Sequence, residues 1–97
     1  MNEVIDYNQV ARYEAVRELI NDVIGMFFAL KRENKEFASK IEDRYIELME
    51  ERDNLSSENR EAMDNVVKAY APLVDKYYSN PLGFECTEDI LNIRASN

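Results

Sequence analysis

Histidine and tryptophan are both absent from this chain of 97 residues. Without an imidazole there is no histidine general base, no Ser-His or Cys-His nucleophile and no zinc motif that uses histidine. The Glu-x-x-His pairs of carboxylate-bridged metal sites in helical bundles cannot be assembled either. The lone cysteine, Cys86, has no intrachain partner for a disulfide. Its neighbours Glu85, Glu88 and Asp89 raise a thiol's pKa, so a buried structural cysteine is expected. Two glycines, Gly25 and Gly83, are too few for a phosphate-cradling loop, and no proline precedes Pro72, which disfavours strands joined by tight turns. Long apolar runs are missing too: the longest, VIGMFFAL, is eight residues, against roughly twenty for a membrane-spanning helix. Bases are scarce, with 12 Lys and Arg against 20 Asp and Glu and a net charge of -8. Such a chain repels phosphate backbones and anionic lipid, so neither nucleic acid nor a membrane surface is expected as a direct partner. The opening MNEVIDYN lacks a basic stretch followed by an apolar one, so no secretory signal is read and the cytoplasm is the expected compartment.

What the chain does have is helical periodicity. Val16, Ile20, Val23, Phe27 and Leu30 recur at spacings of four, three, four and three, the seam of an amphipathic helix. Leu19, Ile24, Met26 and Phe28 lie beside the seam and widen it to the face a core or a subunit interface needs. The helix is expected to start near Tyr7, with Asp6 as cap, Gln9 reaching back and Ile5 stapled on Val10. Its apolar phase includes Val10 and Tyr13, while Arg12, Glu14, Arg17, Glu18 and Asp22 take the solvent side. Gly25 within the run marks either a close approach by another helix or a tolerated glycine. The same phase passes through the polar KRENKE to Asn34, Phe37, Ile41, Arg44 and Leu48, with Tyr45 beside it. A helix continuous over 7–54 would be about 70 Å long and would need a partner chain, with Asn34 setting register in a coiled coil. A turn near Asn34 instead closes the molecule on itself.

Ser56 or Ser57 is the expected N-cap of the next helix, with Glu58 and Glu61 at its positive end. Met63, Val66, Val67, Tyr70, Val74 and Tyr77 form its apolar side, and Pro72 predicts a kink near Lys68 or an early stop. Asn80 to Gly83 reads as a turn, and Thr87 as the start of a short final helix bearing Ile90, Leu91 and Ile93, on which Cys86 can staple through Leu91. Residues past Arg94 are expected to fray. The expected fold is therefore all-α: an antiparallel bundle of three principal helices and a short C-terminal helix, at about 7–33, 35–54, 57–79 and 87–94, in one domain over 1–97. The alternative joins the first two helices into one.

Carboxylates are the only abundant functional group. Residues 42–64 hold nine acids against three arginines and so supply -6 of the net -8. The candidate partner-binding face comprises Glu36, Asp43, Glu47, Glu50, Glu51, Asp53, Glu58, Glu61 and Asp64. Glu36, Asp43, Glu47 and Glu50 share a helical line opposite Phe37, Ile41, Tyr45 and Leu48. Asp43 with Glu47, and Glu47 with Glu51, are like-charge pairs that each cost a few tenths of a kcal/mol, about what a Glu–Lys pair would gain. A helix that keeps such pairs either uses them or merely stays soluble by them. Tyr78, off the main stripe, is the candidate aromatic anchor.

Two functions fit these residues. In the first, a non-catalytic helical protein presents its carboxylates to a basic, nucleic-acid-binding surface on a partner protein and blocks or recruits it. In size, charge and helicity alone the chain resembles the small acidic proteins with which phages and mobile elements inhibit host nucleases and defence complexes, some of which imitate DNA. No motif ties it to one such family. In the second, the face from Val16 to Leu30 makes a homodimer or sheathes a partner helix, as an assembly module or chaperone would. Neither needs a cofactor or a metal.

Overall fold

The computed structural model describes residues 7–95. Helix α1 (Tyr7–Glu33) is followed by a single 3-10 turn at Lys35–Phe37, then α2 (Ala38–Asn54), α3 (Arg60–Ser79), a second 3-10 turn at Pro81–Gly83 and α4 (Glu88–Leu91). The fold is an all-α bundle. Its cap and staple at Asp6 and Ile5 lie outside the described residues.

The chain turns at Asn34 and does not continue as a rod. Its side-chain amide and its backbone N–H both donate to the Leu30 carbonyl, at 2.8 and 3.0 Å, so one seam residue closes the helix that its apolar phase would have extended. The following 3-10 turn reverses the direction, and α2 runs antiparallel to α1, as Lys31–Glu42 at 2.9 Å and Arg52–Asn21 at 2.9 Å show. A second reversal makes α3 parallel to α1, tied by Arg12–Asp64. Ile41, Leu48, Met63, Val66, Tyr70 and Leu73 close over the α1 seam, where Val16, Ile20, Val23, Phe27 and Leu30 are each at most 2% exposed. Full burial of side chains of this size is worth about 1.5–3 kcal/mol each, so this face is the principal source of stability.

Several expectations are corrected. Of the two readings of Gly25 the tolerated glycine holds and the close approach does not: the residue is solvent-exposed, and a Cβ placed there would meet nothing within 4 Å among the described residues. Val10 and Phe28 are half exposed. Val10 precedes the first core residue, Val16, and Phe28 lies outside the seam, stacked on Tyr45 with ring centroids 4.3 Å apart. The α3 helix begins at Arg60, later than expected, because Asn59 is its cap: its side-chain oxygen accepts from the Ala62 N–H at 3.0 Å. Ser56 is occupied otherwise, its hydroxyl accepting from the Glu58 N–H at 3.2 Å. Leu73 replaces Val74 as the buried member of the α3 stripe, and Val67 turns outward. The α3 helix neither stops nor is interrupted at Pro72; Pro72 and Lys68 are both on the solvent side, where water can take the carbonyl that the ring leaves unbonded. Thr87 does cap α4, accepting from the Ile90 N–H at 3.3 Å. That helix ends at Leu91 and not near Arg94: the Ile93 N–H donates only three residues back, to the Ile90 carbonyl at 3.3 Å, and beyond it the Ile93 carbonyl accepts from Arg44 while Arg94 turns back onto the Leu91 carbonyl. Of the residues expected to fray, Ala95 is buried, and residues 96 and 97 lie outside the described residues.

Candidate functional site

Both α2 and α3 pack along α1, and their backbones stand apart from each other, bridged by side chains such as Arg44 and Tyr70. The gap between them is filled over part of its length by the chain's own C-terminal segment. That segment runs along α2 through Lys40–Glu88, through Arg44 Nη2 donating to the Ile93 carbonyl at 2.7 Å, and through Arg94–Glu47 at 3.5 Å. On the α3 side Phe84 meets Tyr77 edge to face at 5.3 Å. Where the segment reaches Arg94 and Ala95, a cleft of about 670 Å³ opens. Its walls are Glu47, Glu50, Glu51 and Asn54 of α2, Leu55 and Ser56 of the connection, Asn59, and Ala62, Asn65 and Val66 of α3, with Arg44 also lining it.

Arg44 governs the electrostatics. It is 3% exposed, and among the described residues no carboxylate pairs with it. Nη2 donates to the Tyr70 hydroxyl at 2.8 Å and to Ile93, while Nε has no hydrogen-bond partner. Tyr70 passes the interaction on, its O–H donating to Glu51 Oε2 at 2.9 Å. Burial raises the Tyr70 pKa; the Arg44 charge opposes this and Glu51 adds to it. A buried guanidinium thus reaches a carboxylate only through a neutral phenol.

Of the nine acids singled out in the sequence, the cleft brings together Glu47, Glu50 and Glu51. Asp43 is exposed on α2 outside it, Asp53 is bonded by Arg52 at 3.1 Å, and Asp64 pairs with Arg12 across the α1–α3 contact. Glu58 and Glu61 stand exposed at the entry to α3, and Glu36 lies in the 3-10 turn before α2, close enough to add to the upward pKa shift that burial gives Cys86. Cys86 itself is a free, buried thiol. Tyr78 is 56% exposed and packs edge to face on Tyr77 at 5.0 Å. Sequence reasoning placed Arg44 on the seam without giving it a role. A cation at a core position of an amphipathic phase was the available signal, but the Asn54, Asn59 and Asn65 amides gave none.

A second groove, of about 540 Å³, runs between α1 and α3 over Ala15, Val16, Leu19 and Val67, edged by Arg12, Glu18 and Asp22. Burial, and then Glu18, raise the Asp22 pKa. Among the described residues no helix is long and apolar enough to cross a membrane. No family model matches the chain, and neither a curated protein nor a solved structure shows significant similarity to it.

Proposed function

We propose that this is a non-catalytic cytoplasmic binding protein, an inhibitor or regulator of the kind used by phages and mobile elements, that sets its carboxylates against the basic, nucleic-acid-binding surface of a partner protein. One observation carries the reading. Glu36, Asp43, Glu50, Glu58 and Glu61 have no ion pair or side-chain hydrogen bond among the described residues, although arginines and lysines elsewhere in the chain pair with other acids. Unpaired carboxylates concentrated on α2 and the start of α3 attract a basic surface at long range and speed encounter with it. The assembly reading has less to draw on, because the Val16 to Leu30 face is covered by α2 and α3 of the same chain.

The test is capture from a lysate of the source cells at low and high salt, by the wild-type chain and by the combined variant Asp43→Asn, Glu50→Gln, Glu58→Gln, Glu61→Gln. A basic partner is expected to be held at about 50 mM salt, released at about 500 mM, and not held by the variant. Capture that is indifferent to salt, or unchanged in the variant, would leave the acids as solubilising groups only.

A further inference from the structure

We infer that the groove between α1 and α3 seats an amphipathic helix of the basic partner, its apolar side on Ala15, Leu19 and Val67 and a lysine or arginine against Glu18 and Asp22. The inference rests on the acidic-binder reading and adds to it the place where the partner is held, distinct from the α2 acids that draw it in. Val67 is 39% exposed and Ala15 is exposed as well, so the floor is open to an incoming side chain. Those floor side chains offer no hydrogen-bonding group, and the backbone behind them is engaged within α1 and α3. An extended peptide would leave its own N–H and C=O groups unmet there, whereas a helix arrives with them satisfied. The two walls run parallel, and from Arg12 to Asp22 the α1 wall is about 15 Å long, room for about three helical turns.

Charge decides the occupant. Glu18 and Asp22 stand one helical turn apart on the rim, and no cation pairs with either among the described residues. Arg12, also at the rim, is taken by Asp64. Burial, then Glu18, raise the Asp22 pKa; an ammonium or guanidinium set beside it favours the ionised carboxylate again. Tyr78, 56% exposed, lies close enough to Asp22 for that carboxylate to add to the upward shift that burial gives its phenol, so an aromatic side chain stands beside the acidic rim. Occupants from this chain carry the wrong sign: residues 1–6 bring Glu3 and Asp6, and a second copy brings a net -8. Anionic lipid is repelled likewise. A partner helix with an apolar stripe flanked by lysine or arginine meets the floor and the rim together.

The experiment is an amide-resolved NMR titration of the full chain, at about 20 mM salt, with an end-blocked peptide of two Leu-Lys-Lys-Leu-Ala-Lys-Ala repeats. Its controls are the counterpart in which glutamate replaces every lysine and a scrambled lysine peptide that lacks the apolar stripe. The first peptide is expected to shift the amides of Ala15, Leu19, Asp22 and Val67; the glutamate peptide should shift none, and the scrambled one should bind at least about fivefold more weakly. Val67→Asp separates docking from plain attraction. It adds an acid, so charge alone predicts tighter binding, whereas loss of the apolar contact predicts binding weaker by roughly fivefold. Glu18→Gln with Asp22→Asn should also weaken binding roughly fivefold, and Asp43→Asn with Glu50→Gln, which removes the same charge elsewhere, less than about twofold. None of these positions belongs to the core, so the variants keep the fold. Tighter binding by Val67→Asp, equal weakening by the two charge variants, or no shift at the groove would overturn the docking site while leaving the acidic-binder reading in place. Nuclear Overhauser contacts of residues 1–6 with Leu19 or Val67, or shifts of these amides on concentrating the chain alone, would overturn it too, since the groove would then be covered by this chain. The broader reading falls only if salt-sensitive capture of a basic partner fails.

Discussion

Arg44 spends its charge poorly within the isolated chain. Taking a guanidinium out of water costs several kcal/mol, and here the compensation comes from a phenol and one carbonyl instead of a carboxylate. Replacing it with an unbranched apolar side chain of similar length removes that penalty and loses two hydrogen bonds. Arg44→Met is therefore expected to raise the unfolding free energy by about 1 kcal/mol, and denaturant melts of the two chains check it. A fall in stability would mean that the guanidinium is better compensated than the geometry indicates. The opposite sign is expected for Tyr70→Phe, which leaves Arg44 with Ile93 alone and should cost about 2 kcal/mol. The phenol also sets an alkaline limit. Its native pKa is raised above the ordinary 10.0, chiefly by burial, so the stability it contributes is complete below pH 10.0 and is lost as pH rises through the native value, the unfolded chain ionising first. The alkaline melt of Tyr70→Phe should accordingly show a shallower loss of stability above pH 10.0 than wild type.

At the scale of elements, the two glycines have opposite roles. Gly25 sits in the exposed interior of α1 with nothing within 4 Å of a would-be Cβ, so Gly25→Ala should stabilise the chain by about 0.5–1 kcal/mol through helix propensity alone. Gly83 closes the turn after α3, where its N–H donates to the Asn80 side chain at 3.2 Å and a Cβ would run into that same side chain, so Gly83→Ala should destabilise. Thermal melts of the pair must shift in opposite directions. Helix existence and core phase were legible because the α1 spacing and the Ile41 and Leu48 pattern each admit one face. Boundaries were less so. Ser56, Ser57 and Asn59 are all competent caps, and the choice fell to Asn59 only where α3 settles against α1. Asn34 was ambiguous because its phase suits a coiled coil while its amide suits a helix end; the bond to Leu30 decides in favour of the end. The acids were visible as a cluster, but the partition that leaves Glu50 without a cation among the described residues and gives Glu47 to Arg94 depends on where the C-terminal segment lies. No local pattern in the sequence encodes that contact.

For the whole molecule, the decisive quantity is a charge of -8 carried on a bundle of 57 × 25 × 21 Å. Phe27 is 1% exposed within the chain's own core, so light scattering should give a monomer and Phe27→Glu should unfold it; a folded Phe27→Glu monomer derived from a wild-type dimer would revive the assembly reading. Salt then separates two uses of the acids. The surface ion pairs contribute little individually, since each of the five among the described residues has at least one partner about half exposed or more, and self-repulsion at this net charge acts on the entire surface. Raising the salt from about 20 mM to about 500 mM shortens the Debye length several-fold. It should raise the melting temperature by relieving that repulsion, and over the same range weaken association with the basic partner. Acids that only keep the chain soluble predict the first response without the second, whereas carboxylates held unpaired for a partner predict both, with opposite signs, in one titration.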